Sequence, residues 1–197
     1  MGEMKTNLSL LGVMLIAIGI LSGCQSPKVM SPREAGAMQS TRNNGYSLLH
    51  QLLAQQKNVS LLRFIKNERP EVEALVKKIA VTSGTGAVLL EKFAKDDPSI
   101  SLEDLRLPPA EVATRTAIAA TKEKELLGQT GDTFELTLLL TQTEALSYGW
   151  HLAEVASANE PQPERARALV GIGEDMKKLY LEVFRLLLAG NERGNLH

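Results

Sequence analysis

Apolar residues recur along this chain at intervals of three and four, the spacing that brings them onto one face of a helix. The first such stretch predicts a helix from Tyr46 to Lys66, with Leu49, Leu52, Leu53, Val59 and Leu62 on its apolar face. Pro70 suits the first turn of a second helix, because its missing N–H has no intrahelical partner to lose. There Val72, Leu75, Val76 and Ile79 start a stripe that continues through Ser83, Gly86, Leu90 and Phe93 until Asp96, Asp97 and Pro98 end it. A shorter helix rich in Ala and Lys follows Pro108 and Pro109 and stops near Gly128. Asp132 and Glu135 have the spacing of a capping box. Behind them Phe134, Leu138, Thr141, Ala145, Tyr148, Leu152 and Val155 form a seam spaced 4-3-4-3. The last helix begins at Pro161 or Pro163, carries Leu169, Ile172, Met176, Leu179, Val183 and Leu186, and ends at Gly190 and Asn191, leaving 192–197 as a disordered tail. No segment alternates apolar and polar residues over a strand's length. The expected fold is all-α, an antiparallel up-and-down four-helix bundle with one additional short helix, occupying residues 45–191.

Before that domain, Lys5 precedes an apolar run from Leu8 to Leu21. It is about fourteen residues long, short of the roughly 20 that cross a bilayer as a helix, so it reads as a secretion signal over residues 1–23. Its end, Leu21, Ser22, Gly23 and Cys24, resembles the lipobox of bacterial lipoproteins. That resemblance implies a diacylglyceryl group on the Cys24 thiol, cleavage before it, and a membrane anchor of several acyl chains, palmitate among them. Cys24 is the only cysteine, which excludes an intramolecular disulfide, a dithiol redox centre and a zinc–thiolate cluster. Gln25 follows where an Asp would imply retention at the inner membrane, so the resemblance points to the periplasmic face of the outer membrane. Residues 24–44, polar and carrying Pro27 and Pro32, read as the lipidated Cys and a flexible tether.

Charge changes the picture mainly by exclusion. With 22 basic and 23 acidic side chains, gathered into no block of one sign, nothing favours nucleic acid as a partner. Gly84 and Gly86 have neither the preceding strand nor the following Lys of a phosphate loop, so close helix approach is the better use for them, as for Gly171 and Gly173. The histidines are His50, His151 and the terminal His197, and none stands in a Glu-x-x-His motif. Glu144, His151 and Glu154 share a helix flank and are the candidate metal ligands; with Ser147 they are also the best candidate for catalysis. Neither set matches a known catalytic or metal motif, so no catalytic residue, metal or cofactor is assigned and the chain reads as non-enzymatic. Tyr148 and Trp150 are candidates for a partner surface.

Three segments carry a further resemblance. Ser60 to Ala80, Leu107 with Pro108, and Leu127 to Glu135 resemble a ferritin-like family of unknown function found in exported proteobacterial proteins, over about Leu48 to Leu187. The resemblance implies a ferritin-like bundle. It also implies histidines in the second helix and in the third long one, where this chain has Gly86, Ala87 and Leu146 instead. The functional expectation is therefore a lipid-anchored helical bundle acting through protein contacts or as an envelope structural or stress component. The alternative is a ferritin-like protein that binds a metal or a small ligand.

Overall fold

The computed structural model of the chain describes residues 31–60, 69–103 and 105–194, the last four as backbone. Cys24, its signal segment, residues 61–66 of the expected first helix and the end of the tail lie outside these. Five helices account for the described chain: α1 Pro32–Gln56, α2 Pro70–Asp96, α3 Pro109–Gly128, α4 Gly131–Ala158 and α5 Pro163–Gly194. No strand occurs among the described residues, and no described helix is long and apolar enough to cross a membrane.

Prolines set three of the helix starts. Pro70, Pro109 and Pro163 each open a helix, and an acidic residue in each first turn (Glu71, Glu111, Glu164) complements the exposed N–H groups there. Pro32 does the same for α1, with Glu34 behind it. That start corrects the sequence reading: the residues from Pro32 to Asn44 assigned to the tether are helical, so the bundle begins about fourteen residues earlier than Tyr46. The cause is tertiary. Arg42, Gly45 and Ser47 are buried in α1 although none belongs to an apolar stripe, and Arg42 and Ser47 are held by groups from beyond the end of α2. At its other end α1 stops at Gln56, where Lys57 N–H still reaches the Leu53 carbonyl and Asn58 N–H turns back to Gln55. The C-terminal helix continues three residues past Asn191.

The helices pack as a closed ring: α1 lies against α2 and α4, and α5 against α4 and α2, while α3 packs on α4. The core between them holds Tyr46, Leu49 and Leu53 from α1, Ile79 and Leu90 from α2, Phe134, Leu138 and Leu146 from α4, and Leu169 and Met176 from α5. Side chains of this size each contribute about 1.5–3 kcal/mol when buried. Small residues let the backbones come close. A Cβ built at Gly45 would stand 3.1 Å from the Ala156 Cβ and 3.3 Å from its Cα, and one at Gly149 would overlap Met176 and come within 2.7 Å of Leu52. Gly86 and Gly173 also face neighbouring helices, against Leu53 and Ala153, but Gly171 faces open space.

Two expectations for α4 need correction. Its buried positions include Phe134, Leu138, Gln142, Leu146, Gly149, Leu152, Ala153 and Ala156, so the seam turns by one residue after Leu138; Leu152 is buried as expected, whereas Tyr148 and Val155 are exposed. Large side chains marked one face, whereas the small ones mark where α1 and α5 approach. The capping box is also not formed: Thr130 is the N-cap and its side chain accepts no capping bond, and Glu135 is buried because it accepts from the backbone N–H and Nε of Arg69.

Candidate functional site

The three candidate ligands Glu144, His151 and Glu154 are all on α4, all exposed, and each has another partner. Glu144 faces Lys122 of α3 at 3.8 Å, His151 Nδ1 lies 2.7 Å from the Ser147 carbonyl, and Glu154 accepts from Trp150 Nε1 at 2.6 Å. Among the described residues no three His, Cys, Asp or Glu side chains converge on a point where an ion could sit. The positions at which the family resemblance implies histidine are apolar and buried, with Leu146 fully enclosed and Gly86 and Ala87 inside the core.

An aromatic row occupies the α4–α5 surface instead. Trp150 lies against His151 with the rings tilted and their centres 4.4 Å apart, carries the Lys177 ammonium 4.5 Å from its own centre, and meets Tyr180, which stacks on Phe184. On the same two helices Leu136 and Leu140, and Leu181, Phe184 and Leu188, each leave roughly half of their surface to solvent. Scattered exposed apolar residues are ordinary, but a stacked aromatic group continued by several leucines is not. Trp150 and Tyr148 were visible in sequence as partner-surface candidates. Tyr180 and Phe184 were not, because they flank the apolar stripe of α5 and read as its margin.

A second constellation closes one end of the bundle. Tyr46, fully buried on α1, donates its hydroxyl to Glu160 Oε2 at 2.8 Å, and Arg165 of α5 bridges Glu160 Oε1 and Asp97 Oδ2, both at 2.9 Å. Asp97 in turn accepts from the N–H and hydroxyl of Ser99, whose carbonyl and hydroxyl accept from Arg42. The segments joined are α1, the loop after α2, and the α4–α5 turn. Burial pushes the Tyr46 hydroxyl well above its ordinary value, and the hydrogen bond and charge of Glu160 add to that. For Glu160 burial acts upward, but bonds from Arg165, the Gln162 N–H and Tyr46 outweigh it and hold the carboxyl below its usual range. The Ser99 hydroxyl and N–H, with Arg165, hold Asp97 low as well.

The sign of the pH effect follows. Carboxyls depressed in the fold contribute stability that is present above their ordinary values and is lost as pH falls through the depressed ones. Urea midpoints are expected to be level near neutrality and to drop on the acid side, and Glu160→Gln is expected to flatten that drop while lowering the neutral plateau. A variant whose acid limb parallels that of the unaltered protein would rule Glu160 out as a source.

Polar atoms without partners cluster near the same end: Arg42 Nε, Arg165 Nε, and the side-chain oxygens of Asn43 and Asn44 are buried without a hydrogen bond. Gln142, 3% exposed on α4, leaves its Oε1 equally unpaired. Buried amides of this kind are typically satisfied by enclosed water. A separate groove of about 480 Å³ opens between α2 and α5, its floor of Ala74, Leu75 and Leu186 rimmed by Glu71, Lys78, Glu182 and Arg185. No family model, no curated protein and no solved structure matches the chain.

Proposed function

We propose that this is a lipid-anchored, non-enzymatic helical bundle at the periplasmic face of the outer membrane, and that it works through protein contacts made by its α4–α5 face. The observation that carries the reading is the α4–α5 surface row in which Trp150 and Tyr180, half-buried against the core, lead on to the exposed Phe184 and Leu188. The anchor rests on Leu21 to Cys24. Aromatic anchors beside a cationic side chain are the residue types that dominate protein interfaces.

The bundle is proposed to be ferritin-like, and four sets of pairings support that. Lys57 opposes Gly84 and Arg42 opposes Ser99, so α1 and α2 run in opposite directions; Gly45 with Ala156 and Leu52 with Gly149 give the same for α1 and α4. Ala153 with Gly173 and Gly149 with Met176 make α4 and α5 antiparallel, and Lys78 with Glu182 and Gly86 with Ile172 do so for α2 and α5. Consecutive long helices α2 and α4 then point the same way, joined by a single long crossover that contains α3, the connection characteristic of ferritin-like bundles. Counting from Gly149 opposite Met176, the same register sets Phe184 nearly level with Leu140 and Leu188 nearly level with Leu136, which supports reading these exposed side chains as parts of one surface.

A photo-cross-linking residue at position 184 in intact cells tests the role. One dominant envelope partner is expected, lost in a Cys24→Ser version and weakened about tenfold or more by Leu188→Glu, as removal of a central interface residue would do. Capture of lipid alone, or of nothing, would sink the proposal. The small-ligand alternative has the α2–α5 groove in its favour, since its volume falls within the range of ligand sites. A fluorescent fatty acid that fails to bind the folded domain would remove it.

A further inference from the structure

We infer that α3 is a releasable strap, which lifts from α4 between two built-in hinges while α1, α2, α4 and α5 stay packed. The inference is independent of the proposed partner role. Of the twenty residues of α3, Leu126 alone is buried, and Val112, Ile118 and Leu127 are left about half exposed. Every other helix contributes a row of buried residues to the shared core. α3 therefore adds little to the apolar burial that makes the bundle cooperative.

Apart from Leu126, which reaches the core, the contacts seen to fasten α3 to α4 are polar and lie at the surface. The Arg115 guanidinium sits 5.1 Å from the centre of the Tyr148 ring and donates to the Tyr148 hydroxyl at 2.9 Å, while Glu111 on the same helix holds Arg115 in place at 2.6 Å. About two turns further on, Lys122 faces Glu144 at 3.8 Å. Exposed attachments of this sort are individually weak and are screened by salt. They are selective for a position without being strong.

The ends of α3 are built to turn. On one side Arg106 is held at φ +41°, a left-handed conformation that costs a residue with a Cβ, its guanidinium reaching Ser40 of α1 at 3.5 Å, and Pro108 and Pro109, whose rings fix φ, make the stiff link from that point into α3. On the other, Gly128 has open space around it and Gly131 sits at φ +59°. Rotation at these two places moves α3 and no core helix. Ser101 and Phe134, just outside the hinges, are fastened to the core: the Ser101 carbonyl accepts from Ser47 and Phe134 is fully buried.

Hydrogen exchange on the full chain, followed by mass spectrometry, reads the device directly. Amides of 109–128 are expected to exchange at least about a hundredfold faster than the interior amides of 134–156, because they open without global unfolding. Arg115→Ala is expected to speed exchange in α3 about tenfold, the size expected for losing one cation–π contact and one hydrogen bond, and to leave α4 unchanged. Tyr148→Phe, which keeps the ring, is expected to give a smaller change, and raised salt acts in the same direction as both. A lysine-specific protease is expected to cut first at the half-buried Lys122 or at Lys124 within the bundle, ahead of the exposed Lys77 and Lys177, leaving a nicked but helical protein. One common exchange rate for α3 and α4, or equal acceleration of both by Arg115→Ala, would overturn the inference.

Discussion

Replacing Arg165 with Met is expected to lower the stability of the bundle by about 3 kcal/mol at neutral pH, the range for removing one partner of a buried ion pair. The side chain that remains is the reason. Glu160 has no solvent-exposed side-chain surface, and Arg165 supplies the charge that compensates it while also holding Asp97. Without Arg165 the Glu160 carboxylate keeps only the Tyr46 hydroxyl and the Gln162 N–H. Removing the charge as well tests the explanation. Glu160→Gln alone also weakens the bundle, but the double variant Arg165→Met with Glu160→Gln is expected to be at least about 1 kcal/mol more stable than the two losses added together, the coupling seen between residues in contact. Equilibrium unfolding in urea measures all four corners of this cycle, and strict additivity would show that the two residues act separately.

Gly45→Leu is expected to have a comparable effect by a different route. A Cβ at Gly45 stands 3.1 Å from Ala156 Cβ and 3.3 Å from its backbone, so a larger side chain must part α1 from α4. Overpacking of this kind typically costs about 1–3 kcal/mol, and here the obstacle is backbone, which cannot rotate aside. Gly45→Ala is a milder case. The roughly 1 kcal/mol by which Ala favours a helix interior over Gly offsets much of the crowding, so its net change is expected to be small. Ala156→Gly should restore most of what Gly45→Ala loses in packing if the two residues meet as described. A thermal midpoint for Gly45→Leu close to that of the unaltered protein would mean that α1 and α4 are not in close contact there.

Much of the helical layout was legible, and particular residues show why. Pro70, Pro109 and Pro163 fix helix starts by their own covalent geometry, and Pro98 follows the end of α2, so those boundaries need no tertiary information. The first half of α1 was not legible, since Arg42 and, just beyond it, Ser47 are polar residues whose burial depends on partners more than fifty positions away. The turn in the α4 seam escaped for a related reason. Gly149, Ala153 and Ala156 carry little hydrophobic weight, and they are buried because helices approach there, while the heavier Tyr148 and Val155 are not. Of the surface candidates, Trp150 and Tyr148 were visible by residue type. The linkage of Tyr46, Glu160, Arg165 and Asp97 has no local signature, because each of those residues is common on solvated surfaces and their assembly is a property of the closed ring.

That assembly also has a bearing on the order in which the chain can fold. Tyr46 and Glu160 are 114 positions apart, and Arg165 must arrive before Asp97 and Glu160 are both satisfied. Contacts of such separation carry the full loop-closure entropy and form late. A chain emerging from its N-terminus can pair α1 with α2 early, but the sides of α2 and α4 meant for α5 stay open until α5 appears. Commitment to the native state therefore waits on α5, and until then the chain is a set of helices still free to be threaded.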